Sequence, residues 1–351
     1  MYAEFYGLRE LPFALTPDPR YIYFTPSHTE VMANLHYGVE SGKGLIVVTG
    51  EVGTGKTTIL RWMMQRLDRT VLVAYIFNPR LSVPEFYQHL AALFDIQSWE
   101  TKSDLLIELG KVLESRHSRG LRTVLIIDEA HGLSPYVLEE VRLLGNFESD
   151  TAKQLQIVLT GQPELRNVLN YPDLRQLKQR VALRCDIKAL PNVEETARYI
   201  ASRLSVAGAA RASDIFSPGA IDYIFRCSEG IPRNINNLCD NALLNGFAGG
   251  EPIISRAIVE EVAATFDLLP SDRKLTGAEG SEAPARIFNA AGRAELWTAG
   301  NGDGAPHSRV PEPEIVINEF ARISESPTTL EELGTAFSRS GLGRGNNGQS
   351  L

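Results

Sequence analysis

At 351 residues with 43% hydrophobic content, the chain is long enough to bury one large core or two smaller ones. Its 35 basic and 43 acidic residues are well mixed and leave a net charge of −8, which argues against a dedicated polyanion binder. No apolar run approaches ~18–20 residues, and the start lacks a basic stretch followed by an apolar core, so we expect a cytoplasmic protein with no direct membrane insertion, any link to the inner membrane being made through partners.

Residues 1–44 are rich in aromatics and proline: Phe5, Tyr6, Phe13, Tyr21, Tyr23 and Phe24 stand among Pro12, Pro17, Pro19 and Pro26. Proline at this density sets an extended path rather than a helix. A helix is expected near Ser27, where Ser27-x-x-Glu30 reads as a capping box. Placed ahead of a phosphate-binding strand, the aromatic strap is positioned to cover a nucleotide base. The alternative is that its rings simply pack on the core.

The apolar run 45–49 is the first strand candidate, and Gly50-Glu51-Val52-Gly53-Thr54-Gly55-Lys56-Thr57-Thr58 follows it directly. That stretch fits G-x-x-x-x-G-K-[ST], the phosphate-binding P-loop, in the strand-loop-helix setting the motif requires. Gly50, Gly53 and Gly55 let the backbone turn so that successive N–H groups point inward at a triphosphate. The helix expected over 56–66 aims its positive end at the same anion. Lys56 is expected to reach the β- and γ-phosphates, and the Thr57 hydroxyl to hold Mg²⁺. The cofactors implied are ATP and Mg²⁺.

Over 45–190 short apolar runs at 71–77, 123–127, 156–160 and 182–187 alternate with helical patterns at 84–94, 102–119 and 135–147. The first of these helices is capped by Ser82-x-x-Glu85. This alternation implies a parallel sheet covered on both faces, with its ligand at the carboxyl ends of the strands. The strand 123–127 delivers Asp128 and Glu129 to that edge. Asp128 is expected to orient Mg²⁺ through coordinating water, and Glu129 to polarise the attacking water as general base. A phosphotransferase needs no water activator, so the paired acids favour hydrolysis. The strand 156–160 ends in Thr160-Gly-Gln162, and either Thr160 or Gln162 is placed to report the γ-phosphate. Arg175, Lys178, Arg180 and Arg184 cluster after Asp173; Arg175 and Arg180 are candidates to complete a neighbouring subunit's site.

Residues 191–269 carry no strand signal and read as three or four helices with polar starts, at 192–207, 218–228, 232–248 and 255–267. In Gly230-Ile-Pro-Arg233, proline starts a helix that aims Arg233 back towards the nucleotide. Cys185, Cys227 and Cys239 are widely spaced without a CxxC pair and read as buried apolar residues. From residue 271 onward the remainder holds 11 of the 29 glycines and reads as a disordered tail, with 313–322 its best candidate for a short partner-binding motif.

Gly-Glu-Val-Gly-Thr-Gly-Lys-Thr-Thr, Leu-Ile-Ile-Asp-Glu-Ala-His131 and Gly-Ile-Pro-Arg-Asn-Ile-Asn-Asn-Leu together resemble an AAA+ ATPase. More narrowly, Phe5-Tyr-Gly-Leu-Arg-Glu-Leu-Pro-Phe13, Leu15-Thr-Pro-Asp-Pro19 and Gly161-Gln-Pro-Glu-Leu165 resemble the general secretion pathway protein A family. Val73-Ala-Tyr-Ile-Phe-Asn-Pro79 is most similar to its branch associated with exosortase and exopolysaccharide systems. The resemblance implies an ATP-dependent homo-oligomer, Arg233 as the lid sensor, and work beside envelope export or polysaccharide assembly proteins. It also implies kinship with transposition-regulating ATPases that assemble on DNA, a partner the composition does not favour. Secretion members often add a transmembrane helix and a peptidoglycan-binding domain where this sequence has a glycine-rich tail, so a wall-spanning role is not expected. His131 reads as a helix-entry residue that hydrogen-bonds locally.

The expected fold is α/β: a three-layer P-loop NTPase parallel sheet of the AAA+ kind with a helical lid and a disordered C-terminal tail. Its expected parts are an approach segment (1–44), the α/β domain (45–190), the lid (191–269) and the tail (270–351).

Overall fold

The strand signals converge on one sheet. A computed structural model describes residues 2–16, 18–77, 80–149 and 152–270. The chain opens with α1 (Tyr2–Phe5), a 3-10 turn (Pro19–Tyr21) and α2 (Pro26–Glu40). There follow β1 (Leu45–Gly50), α3 (Lys56–Met64), β2 (Leu72–Ile76), α4 (Val83–Leu93), α5 (Lys102–Ser118) and β3 (Thr123–Ile127). Next come α6 (Pro135–Leu144), β4 (Gln156–Gly161), α7 (Glu164–Val168), α8 (Arg175–Gln179) and β5 (Val181–Ile187). The last described helices are α9 (Val193–Val206), α10 (Pro218–Ser228), α11 (Pro232–Gly249) and α12 (Arg256–Thr265).

All four strand pairings are parallel, in the order β2-β3-β4-β1-β5. The register brings Gly50, Ile76, Ile127, Gly161 and Ile187 to one edge, through Ile76↔Ile127, Ile127↔Leu159, Thr49↔Gly161 and Gly50↔Ile187. Strand residues alternate between two buried layers, as the two-residue period of a strand requires. Leu45, Val47, Leu125 and Ile127 pack with Phe86, Leu109 and Val141 from α4, α5 and α6. Ile46, Val48, Val124 and Ile126 face Leu35 of α2 and Ile59 and Leu60 of α3. Every residue of β3 is buried, and each fully buried aliphatic side chain contributes about 1.5–3 kcal/mol. Gly38 allows the close passage of α2 over β1, because a Cβ there would fall 2.3 Å from Ile46 Cδ1.

A second core joins α9–α12 to the strap. Tyr2, Tyr6, Phe13 and Tyr21 are buried with Ile200, Leu204, Ile235 and Leu238. Polar tips are satisfied on the way, Tyr2 OH donating to Asp240 and Tyr6 OH to the Glu251 carbonyl at 2.9 Å.

Three expectations need correction or fall outside this description. The capping box of α2 is Thr25 with His28, not Ser27 with Glu30: Thr25 Oγ1 accepts from the His28 N–H at 3.2 Å, and the Thr25 N–H donates to His28 Nδ1 at 3.3 Å. Pro26 explains the shift, since proline fits the first helical position and has no N–H to satisfy. The strap also begins with a helical turn at α1, upstream of its first proline at Pro12, rather than running extended throughout. From residue 271 the expected tail, with its 313–322 segment, lies outside the described residues, as do residues 78–79 of the 73–79 motif.

Candidate functional site

The loop after β1 turns back on itself through Gly53 (φ +84°) and Gly55 (φ +97°), left-handed conformations that favour glycine. Gly55 is the N-cap of α3, so that helix presents its positive end at the carboxyl edge of the sheet. Lys56 is buried, and its ammonium donates to the carbonyls of Gly50 at 2.8 Å and Glu51 at 3.0 Å. Burial lowers its pKa; the charges of Glu129, Asp128 and Glu51 oppose that shift, and Arg233 adds to it.

Asp128 stands at the end of β3, buried, with four donors on its carboxylate. Thr57 Oγ1 donates to Oδ2 at 2.8 Å and Thr160 Oγ1 to Oδ1. Glu129 follows in the left-handed region at φ +53°, a conformation that costs a non-glycine residue about 1–3 kcal/mol and recurs at functional sites. Its side chain is 42% exposed overall, yet Oε2 is buried and accepts no hydrogen bond; His131 Nδ1 lies 3.2 Å away but out of line. His131 sits in a 3-10 turn (Ala130–Gly132) and is bonded locally, its Nδ1 accepting from the Gln162 N–H at 3.4 Å and its Nε2 lying 3.1 Å from Gln162 Nε2. Thr160 therefore touches Asp128 directly, whereas Gln162 is engaged with His131.

The lid meets the loop through α11. The Arg233 N–H donates to the Gly53 carbonyl at 3.1 Å, and a Cβ on Gly53 would fall 2.5 Å from Arg233 Cβ. Only glycine admits this contact. A cavity of about 360 Å³ opens between loop, lid and strap, bounded by Lys56, Glu129, Arg233, Tyr199, Tyr21 and Tyr23. Of the strap rings, Phe13 and Tyr21 pack in the second core, and Tyr21 and Tyr23 also line the cavity wall.

Arg175 and Arg180 are exposed and line no part of this cavity. Arg180 immediately precedes β5, whose Val181 pairs with Leu45 at the amino edge of the sheet, opposite the phosphate loop. One chain does not bring these arginines to its own site.

Several wall residues carry no motif and escaped the sequence reading. The buried Arg203 guanidinium donates from Nε to the Pro12 carbonyl at 2.7 Å and from Nη1 to Tyr199 OH at 3.3 Å, and lies 4.7 Å from the Tyr21 ring centre. Tyr199 OH donates on to Asn236 Oδ1 at 2.8 Å. The only sequence signal is the i, i+4 spacing of Tyr199 and Arg203 on an amphipathic helix. His28 was equally hidden; its Nε2 lies 3.3 Å from the Thr54 carbonyl of the phosphate loop.

Burial holds the His28 imidazole below its ordinary value of 6.5, against the opposing bonds to Thr54 and Tyr23. The unfolded chain therefore takes up the proton first as pH falls. His28 contributes its full stability above pH 6.5 and loses it as pH drops through the lower folded value. We expect the urea midpoint of the protein to fall on acidification through this window, and His28→Gln to flatten that slope.

The residues present fit a magnesium nucleotide: a loop that only glycine can turn, a hydroxyl–carboxylate pair at Thr57 and Asp128, and a buried glutamate oxygen without a donor. Among the described residues no group of three or more His, Cys, Asp or Glu forms a metal cage. Mg²⁺ that arrives with a triphosphate needs none, since one carboxylate plus phosphate oxygens suffices.

Comparison with known proteins agrees. A family model described as "AAA domain" matches residues 39–169. General secretion pathway protein A of Aeromonas hydrophila is 43% identical over 255 residues, which is 71% of this chain and 46% of that protein. The chain thus spans less than half the length of this curated relative. Among solved structures, Cdc6p from Pyrobaculum aerophilum superposes with a TM-score of 0.58 at 18% identity, covering 76% of this chain and 74% of that one. The ORC2 protein of Aeropyrum pernix, in ADPNP–ADP complexes, gives 0.54 at 15% identity over 72% and 71%. Sheet, phosphate loop and lid together define a P-loop ATPase of the AAA+ class. Within that class the chain belongs, over the matched span, to the general secretion pathway protein A family. No helix among the described residues is long and apolar enough to cross a membrane.

Proposed function

We propose that the chain binds MgATP in this cavity and hydrolyses it as one subunit of a homo-oligomer, its conformational cycle serving envelope export or exopolysaccharide assembly. The observation that carries hydrolysis is the Glu129 carboxylate, held at the carboxyl edge beside the phosphate loop with Oε2 buried and free of donors. A general base needs such an unengaged acceptor. Export is supported by the secretion relative's name, and the polysaccharide branch by the resemblance of residues 73–79.

In this reading the backbone N–H groups of Gly50 to Thr58, including those of Glu51, Val52 and Thr54, cradle the phosphates. Lys56 gives up its two carbonyl partners to reach the β- and γ-oxygens. Thr57 and Asp128 would hold Mg²⁺, which would offset the charge that develops on the phosphate. Glu129 takes the proton of the attacking water. Thr160 or Gln162 senses the γ-phosphate within the subunit, and Arg233 does so from the lid. Because the Arg233 N–H is already bonded to Gly53, lid and loop move as one unit or break that bond. Arg175 or Arg180 serves the neighbour's site.

Hydrolysis per subunit, measured over a wide range of protein concentration, is the direct check. Specific activity should climb with concentration as sites are completed between subunits. A flat response at the level of a Glu129→Gln blank, with ATP still bound, would overturn the hydrolytic reading in favour of a nucleotide-gated switch.

A further inference from the structure

Asp128 accepts its fourth hydrogen bond from a residue outside every phosphate-binding motif. Its Oδ1 takes Thr160 Oγ1 and the Glu129 N–H at 2.9 Å, and its Oδ2 takes Thr57 Oγ1 at 2.8 Å. The remaining donor on Oδ2 is the phenol of Tyr75, at 3.0 Å. Tyr75 lies on β2 and pairs in register with Ile126 of β3, two residues before Asp128. Ile126 and Asp128 project to the same face of the sheet, and so does Tyr75. Two residues of strand rise about 6.6 Å, close to the reach of a tyrosine side chain, so the phenol arrives at the carboxylate from one strand away. The Phe77 ring stacks on it at 6.3 Å and 24° between planes. A tyrosine phenol is an O–H donor and the carboxylate only accepts, so the direction of this bond is fixed.

We propose that Tyr75 is a positioning residue that pins Asp128 Oδ2 beside Thr57 Oγ1 and so aims the carboxylate at Mg²⁺ before nucleotide arrives. This rests on the assignment of Thr57 and Asp128 as the Mg²⁺ holders. The terminal torsion of an aspartate is broad and its carboxylate swings unless both oxygens are held. Oδ1 is fixed by Thr160 and by backbone. On Oδ2 the other donor, Thr57, is itself a metal ligand and must reorient its hydroxyl when it binds. Among the described residues Tyr75 is the one donor to Oδ2 with no second duty. Removing a group that orients a metal-binding carboxylate typically costs about 10–100-fold in metal affinity.

Tyr75→Phe keeps the ring and its stacking and deletes one hydroxyl. The measurement is binding of a fluorescent ADP analogue to the full chain, titrated with Mg²⁺ and repeated in EDTA, with Asp128→Asn alongside. We expect the Mg²⁺ concentration for half-maximal tightening to rise about tenfold or more in Tyr75→Phe, with affinity in EDTA and the melting temperature unchanged. An unchanged Mg²⁺ midpoint would overturn the proposal, and so would an equal loss with and without Mg²⁺, which marks a packing role. If Asp128→Asn abolishes the Mg²⁺ effect and Tyr75→Phe does not shift it, only the role of Tyr75 falls. If Asp128→Asn leaves the effect intact, the magnesium assignment falls and takes this proposal with it.

Discussion

Glu129→Gln is expected to cut ATP hydrolysis by about 10²–10⁴-fold while nucleotide binding survives. Glutamine matches glutamate in shape and keeps the left-handed backbone at residue 129, so the loop between β3 and α6 should hold. What disappears is basicity at the one oxygen aimed inward without a donor. The amide cannot take a proton from water, and an N–H at that position would repel the incoming hydrogen. Lys56, Thr57 and Asp128 make no hydrogen bond to Glu129 Oε2, so phosphate and metal contacts are left intact. A fluorescent ATP analogue binding the variant and the parent equally, beside a collapsed turnover, is the expected pair of results. Equal turnover in the two proteins would mean that another group activates water. Parallel loss of binding and turnover would mean that Glu129 supports the loop.

The strands that build this site could be read in the sequence because β1, β3 and β4 are short aliphatic runs buried along their whole length, and the phosphate motifs sit where β1 and β3 stop. Asp128 and Thr57 were legible for that reason. Tyr75 was not: from the sequence it is one apolar-run aromatic among others, and only the parallel register with Ile126 carries its hydroxyl to Asp128. His28 and Arg203 were hidden differently. Their partners, Thr54 for one and Pro12 and Tyr21 for the other, come from segments distant in sequence that only the folded chain brings together. The helix start of α2 was misplaced because Ser27-x-x-Glu30 satisfies the capping pattern in letters, while Pro26 makes Thr25 the residue whose geometry works. α7 and α8 have five residues each, too few for a 3.6-residue period to show.

Arg180 follows from the same register argument, with the opposite outcome. The sequence offers Arg175 and Arg180 as candidates for a neighbouring subunit's site; β5 runs parallel to β1, so a residue just before β5 lies at the amino edge and one just after β1 at the carboxyl edge. In the proposed homo-oligomer, an arginine there would serve the phosphate of a neighbouring copy. Arg180 is partly anchored, its Nη1 donating to the Arg142 carbonyl at 3.1 Å. Arg175 is exposed at the start of α8, and its side chain makes no hydrogen bond or ion pair among the described residues. Alanine at whichever of the two enters the neighbour's site should lower turnover by about 10³-fold, and alanine at the other should cost little. The decisive form is a mixture. The arginine variant keeps Glu129 and lacks the finger, while Glu129→Gln keeps the finger and lacks the base. Mixed in equal amounts, they rebuild complete sites at roughly a quarter of directed subunit contacts, so activity should return that neither protein shows alone. A residue acting within its own chain gains nothing from such mixing, because every subunit would still lack either its base or its arginine.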